Sequence, residues 1–398
     1  MKVGILTFHR SYNYGAFMQC FSLLQRLKKD FPDVEFEVID YNTKSIESGY
    51  AKWLDGIQDA DTRQKVQTRN TAFEKCQIQL PLSPFRLIDD DYSSIITYMN
   101  NTYDAVIVGS DAVWNWVARG FPTPYFLKDY RGIKLSYAAS VHGMVYQNMT
   151  EEQKLYLQEA FRDFRYIGVR DQATEDMVHY VCPELEVHHN CDPTVLLDLN
   201  DVPCDKQKLK EKLENHGVDF SKPLVGMMAG RGVGYDIKRH FKDQIQLVSV
   251  YEPNPYADVY LYDLTPYEWA HVFSWFKTTA THFFHGTLLT LVNRVPVTSI
   301  EFENAYSVVN TTKIKDVLTR LGLTSWRFTA DYRNMSKPKK VLMRFNLWRD
   351  KKLWRKVNKH IENMLVTDQS DLIKTKIAEE AKAYDSFRQA LELILREG

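Results

Sequence analysis

The chain has 398 residues, enough for two domains of ordinary size with a core each. Its 44% hydrophobic and 26% charged residues are globular values that exclude a disordered or fibrous protein. The 51 basic and 51 acidic residues cancel, so no net charge draws the chain to nucleic acid or to an anionic membrane.

Val3 to Phe8 reads as a strand, followed by the polar turn Asn13-Tyr14-Gly15, an apolar-periodic helix over 16–29 and a second strand at 36–41. This is a βαβ unit. Residues 45–100 are rich in charge and Gln and read as helices or an arm laid over that domain. Strand-like runs return at 104–108, 135–139 and 166–169, with a helix at 151–164. Strands alternating with helices imply a parallel sheet covered on both faces.

The pattern breaks near Asn190, and Pro203, Gly217 and Pro223 punctuate a polar segment that reads as a domain boundary. A second α/β domain is expected over 223–345, after a first one over 1–200, with strands at 224–228, 246–250 and 297–300. Thr265, Pro266 and Glu268 spell a capping box and so a helix start. Residues 370–395 read as one long amphipathic helix, and the terminal helices over 346–398 are expected to pack back on the first domain.

Cys20, Cys76, Cys182, Cys191 and Cys204 are odd in number and contain no C-x-x-C pair, which speaks against a disulfide framework or a zinc site. The first residues carry charge where a signal peptide would be apolar, and no apolar run reaches bilayer-spanning length. A cytoplasmic protein is expected, with peripheral association at the inner membrane face and homo-oligomerisation both open.

In open α/β sheets, ligands sit beyond the carboxyl ends of strands, where helix N-termini offer free N–H groups to an anion. Five turns occupy such positions: Asn13-Tyr14-Gly15-Ala16, Gly109-Ser110-Asp111, Ser140-Val141-His142-Gly143, Arg170-Asp171 and His285-Gly286-Thr287. None is a G-x-G-x-x-G or a Walker loop. His285 follows an aromatic run and leads into a helix, where an imidazole can exchange a proton near neutral pH; capping the turn is its other reading.

Six blocks carry a family resemblance: Val3-Gly-Ile-Leu-Thr-Phe-His-x3-Asn-Tyr-Gly-Ala16, Tyr103 to Asn115, Ser136 to Ser140, Val169-Arg170-Asp171, Asp192-Pro193-Thr194 and Phe284-His285-Gly286-Thr287. In this order, over about 1–325, they resemble the polysaccharide pyruvyl transferase family. The resemblance implies two Rossmann-like parallel-sheet domains facing a cleft, similar to the glycosyltransferase-B type. It also implies transfer of pyruvate from phosphoenolpyruvate to a glycan or lipid-linked sugar as a ketal, with no cofactor and no metal.

On this reading His285 is the general acid, and the Gly286 and Thr287 backbone holds phosphate. Arg170 is the first anion contact, with a structural ion pair as its alternative. Asn13, Tyr14, Gly15, Ser110 and Asp111 line the first domain's side, Gly15 toward the donor. Asp111 is a base for the sugar hydroxyl or a helix N-cap, and His142 falls on the acceptor side. The family's usual Asp and Ser before the Phe-His pair are His282 and Phe283 here, which removes a donor contact that Arg231, in the run Gly230-Arg231-Gly232, is placed to replace. A nucleotide-sugar glycosyltransferase and a non-catalytic glycan binder stay open as alternatives.

Overall fold

Two parallel sheets of six strands each, with helices on their faces, form the body of the protein in a computed structural model that describes residues 1–117, 120–302, 307, 309–330 and 350–397. The chain begins with β1 (Lys2–Leu6), α1 (Tyr14–Asp30), β2 (Glu35–Val38) and β3 (Tyr41–Asn42). An arm follows, made of α2 (Lys44–Asp55), α3 (Ala60–Gln77), β4 (Leu87–Ile88) and α4 (Tyr92–Thr102). β5 (Ala105–Val108), β6 (Ile133–Ala139), α5 (Glu151–Arg162), β7 (Phe164–Val169), α6 (Gln172–Val181) and β8 (His188–His189) complete the first sheet, in the order β2-β1-β5-β6-β7-β8. Its central strand β5 reads Ala-Val-Ile-Val and is buried throughout, as a parallel strand covered on both faces must be.

α7 (Lys206–Asn215) leads to the second sheet through β9 (Leu224–Met228), α8 (Arg231–Phe241), β10 (Gln246–Val250), β11 (Val259–Leu261) and α9 (Pro266–Val272). β12 (Thr278–Thr281), α10 (Phe284–Val292), β13 (Val297–Phe302), α11 (Lys313–Arg320) and β14 (Arg327–Ala330) follow, giving the order β11-β10-β9-β12-β13-β14. The expected capping box is present: Thr265 Oγ1 accepts from Glu268 N at 3.1 Å, and Glu268 Oε2 accepts from Thr265 N at 2.8 Å.

Each sheet reverses its winding beside its first strand, between β1 and β5 and between β9 and β12. Those are the positions where doubly wound sheets open a crevice for ligands. The turns after β1, β5 and β12 carry Asn13, Asp111 and His285 respectively. An apolar cluster runs from Phe17 and Leu24 on α1 through Tyr267 and Trp269 around α9 to Leu288 on α10, so the two crevices meet over a shared core.

Three expectations need correction. The helix over 370–395 is two, α13 (Ser370–Ala381) and α14 (Asp385–Glu397), joined by a tight turn at Lys382–Tyr384. The turn lets Tyr384 and Phe387 both pack on the Tyr137 ring, at 5.9 and 4.9 Å. The helix before them, α12 (Lys351–Val366), does not return to the first domain: Leu353, Trp354, Val357 and Ile361 are buried in the core of the second sheet. The arm also does more than cover the first domain, because α3 reaches α9 and the Tyr251 loop of the second. Residues 331–349, which span the expected boundary at 345, lie outside the described residues.

Candidate active site

The turns after β1 and β12 meet face to face. A Cβ on Gly15 would fall 2.2 Å from His285 Nδ1, so only a glycine at this position lets the second domain's histidine pack on the first turn of α1. Gly286 is required for a similar reason, since its Cβ would fall 2.3 Å from Met228 Cε. Asn13, Tyr14, Gly15, Tyr251, Phe283, His285 and Lys313 are among the residues around a cavity of about 70 Å³ at this seam.

Two helix N-termini face that cavity, and they differ. The side chain of Asn13 caps α1, accepting from Gly15 N at 2.9 Å and Ala16 N at 3.2 Å. α10 has no side-chain cap. The first N–H groups of a helix need a partner, and the positive end of its dipole favours an anion. The N–H of Thr287 is already bonded to Phe283 O at 2.9 Å, and its hydroxyl lies 3.1 Å from that same carbonyl and 2.9 Å from Ser299 Oγ. The Thr287 N–H is therefore not free for a ligand, which leaves the first N–H groups of α10, from Phe284 to Gly286.

His285 is 8% exposed, and its Nε2 has no hydrogen-bond partner among the described residues. The nearest anion is Asp192 Oδ2 at 3.6 Å. Asp192 also accepts from Arg170 Nη1 at 2.9 Å and from Thr194 N at 3.0 Å. Burial would raise the Asp192 carboxyl, but His285 and Arg170 outweigh it and hold it well below the usual carboxylate range.

Arg170 is buried and surrounded by counter-charges: besides Asp192, Asp111 Oδ1 lies at 3.8 Å and Asp171 Oδ2 at 4.0 Å. Its guanidinium stacks 4.8 Å from the Phe284 ring. Burial opposes its charge, and the three carboxylates more than restore it. Asp111 is likewise held ionised, since Arg170, His285 and Lys313 overcome the effect of burial and lower its carboxyl. No helix follows Asp111, so it is not an N-cap; it has φ 82° and accepts from Ala112 N at 2.7 Å. A carboxylate so stabilised is a weak base.

Lys313 begins α11, half-buried, with its ammonium 5.2 Å from the centre of the Phe284 ring. No carboxylate pairs with it among the described residues. Burial first, and repulsion from Arg170 second, push its amine below the usual lysine value, against the pull of Asp111, Asp192 and Asp171.

The family model for polysaccharide pyruvyl transferase matches residues 13–304. The chain belongs to this family. It is therefore a transferase enzyme of polysaccharide biosynthesis. No curated protein matches it. Among solved structures it is similar to the UDP-GlcNAc 2-epimerase of Neisseria meningitidis bound to UDP-GlcNAc, with 9% identity over 98% of this chain and 99% of that one and a TM-score of 0.52. A putative UDP-N-acetylglucosamine 2-epimerase from Listeria monocytogenes matches with 12% identity, 100% and 97% coverage and a TM-score of 0.52. The Methanocaldococcus jannaschii UDP-GlcNAc 2-epimerase does so with 10%, 92%, 93% and 0.51. At such identities the likeness concerns the fold, which is of the glycosyltransferase-B type.

Several motif residues of this pyruvyl transferase family member do other work than their position in the sequence suggested. The Tyr14 hydroxyl donates to Leu264 O, with Arg69 O 3.3 Å away, leaving only its ring to the cavity. Ser110 is fully buried, donating to Ala138 O at 2.9 Å while its carbonyl accepts from Thr7 Oγ1 at 2.8 Å. Burial, and then the nearby charges of Lys313 and Arg170, hold the His142 ring well below the usual histidine value, and its carbonyl accepts from Asn115 at 2.9 Å. Arg231 is the exposed first residue of α8, 5.7 Å from the Tyr256 ring and outside the cavity's lining.

His282, at the family's Asp position, accepts from Gly230 N through Nδ1 at 3.3 Å, and burial pushes its ring below the usual histidine value. The cation that lines the cavity is Lys313, not Arg231. Its signal in the sequence is a lysine placed directly after the N-cap Thr312, where the helix dipole disfavours positive charge. Among the described residues, no group of three His, Cys, Asp or Glu could hold a metal ion, and no helix is long and apolar enough to cross a membrane.

Proposed function

We propose that the protein transfers the pyruvyl group of phosphoenolpyruvate to two neighbouring hydroxyls of a polysaccharide precursor, as a ketal, at the cytoplasmic side of the membrane. The carrying observation is the meeting of three groups at one small cavity: the uncapped N-terminus of α10, the ammonium of Lys313, which pairs with no carboxylate among the described residues, and the ring of His285, whose Nε2 lies 3.6 Å from Asp192 Oδ2. Phosphoenolpyruvate carries a phosphate and a carboxylate, and these are the anions such a set binds. At about 70 Å³ the cavity has room for a single anionic group such as a phosphate, the part of the donor these groups would hold.

The chemistry assigns each group a step. His285 gives a proton to the methylene carbon, which makes C2 electrophilic. One acceptor hydroxyl adds to C2; the second then displaces phosphate from C2 and closes the ketal. Of the two hydroxyl protons, one restores His285 and the other leaves with phosphate, so the products are the ketal and inorganic phosphate. Developing charge on the phosphate is met by Lys313 and the N–H groups from Phe284 to Gly286. Asp192 faces His285 as its counter-charge, and Arg170 with Asp111 keeps that carboxylate fixed.

The test is phosphate release from phosphoenolpyruvate in the presence of a partial acid hydrolysate of the producing strain's own surface glycan. Wild type should release phosphate in step with incorporation of pyruvate into the glycan. His285→Ala should lower turnover by about 10²–10⁴-fold while still binding the donor. Donor-independent behaviour, or full turnover in His285→Ala, contradicts the reading.

A further inference from the structure

The reaction makes no use of Arg69, on α3 of the arm, yet its surroundings are unusually committed. It is 5% exposed, and its Nη1 donates to Tyr251 O at 3.0 Å. Its guanidinium lies 4.6 Å from the Tyr251 ring and 5.8 Å from that of Trp53. Its own carbonyl lies 3.3 Å from the Tyr14 hydroxyl, whose proton goes to Leu264 O. Tyr14 and Tyr251 are walls of the cavity contributed by different domains. One residue of the arm therefore touches both, and it holds Tyr251 through its side chain.

Tyr251 needs such a hold. Its φ of 75° is in the left-handed region, which a bulky residue adopts only when its surroundings impose it. Tyr260 also donates to Tyr251 O, at 3.3 Å, and the Tyr251 hydroxyl donates to Tyr12 O at 2.9 Å. Of these contacts the one from Arg69 is charged, and so the strongest. From Tyr251 the order passes to Phe283, 5.9 Å away, and thus to the turn that presents His285.

We infer that Arg69 is a positioning residue: by pinning Tyr251 to the arm it sets the width of the cavity and so its fit to a small anionic donor. The inference rests on the pyruvyl-transfer reading only through the donor used as a probe.

Two variants test it. Arg69→Met keeps the packing of the stem but loses charge and donors, whereas Arg69→Lys keeps charge but loses the planar fork. Gln67→Ala, exposed on the same helix, is the control. In Arg69→Met, amide hydrogen exchange of the unliganded protein should speed up about tenfold or more over 249–254 and stay unchanged in α5. The dissociation constant and KM for phosphoenolpyruvate should rise about ten- to a hundredfold with kcat nearly unchanged, and Arg69→Lys should fall between.

A folded Arg69→Met protein with exchange over 249–254 and donor KM within about twofold of wild type overturns the inference. If Arg69→Met does not fold, the same measurements on Arg69→Lys decide. If wild type itself does not bind phosphoenolpyruvate, the pyruvyl-transfer reading fails while the exchange result alone judges Arg69: faster exchange supports its positioning role and unchanged exchange overturns it.

Discussion

The two sides of the seam differ in how far their charges are balanced and their helix ends capped. On the first domain's side, Asn13 caps its own helix, Ser110 is bonded in both directions, and the charge of Arg170 is balanced by Asp111, Asp171 and Asp192, although its Nε and Nη2 have no hydrogen-bond partner among the described residues. On the second domain's side, α10 is uncapped, His285 Nε2 has only Asp192 nearby, at 3.6 Å, and Lys313 has no paired carboxylate among the described residues. Leaving buried polar groups unmatched costs stability, so it persists where a ligand completes the set. The lesson is that the two halves of one motif series divide the labour: the first braces the seam, and the second leaves a helix end and a cation open to a ligand.

Breaking the charge-balanced side should produce the largest effect. Arg170→Met strands three buried carboxylates and should cost about 3–5 kcal/mol in urea unfolding. The same cluster sets an acid limit. Asp111 and Asp192 have folded values below the unfolded value near 4, so their stabilisation is complete above it and is lost as pH falls through the folded values. Unfolding free energy should therefore drop below about pH 4, which urea titrations across pH will reveal.

The seam comes next. Gly15→Ala puts a methyl group into the His285 ring and should cost about 1–3 kcal/mol, with turnover reduced as the ring shifts. Ser110→Ala sharpens the comparison: loss of its bond to Ala138 should cost about 1 kcal/mol in the same assay, with donor KM unchanged. The smallest effect has the opposite sign. Gly49, in α2 with open space around it, should gain about 0.5 kcal/mol as Gly49→Ala, read from the unfolding midpoint.

Much of the framework can be read locally. Strands β9 and β10 lie where apolar runs end at turn residues, and the capping box at Thr265 places the start of α9. His285 and Gly15 stand out as turn residues after strands, although nothing local says that they touch, because they are 270 positions apart and meet only when the domains dock. The break between α13 and α14 is invisible for the same reason, being imposed by Tyr137 on a distant strand. Arg170 and Asp111 look alike as ligand or brace from sequence, and only their mutual contacts distinguish the two. Lys313 lacks a motif altogether, and its one local sign is a positive charge at the wrong end of a helix.

Calorimetric titration of phosphoenolpyruvate into the wild type and Lys313→Met addresses the division between the two sides most directly. The expected result is binding to the wild type and affinity about tenfold or more weaker in the variant, the loss of one charge-assisted contact. Equal affinity in Lys313→Met, or binding of a nucleoside diphosphate in place of phosphoenolpyruvate, would contradict it.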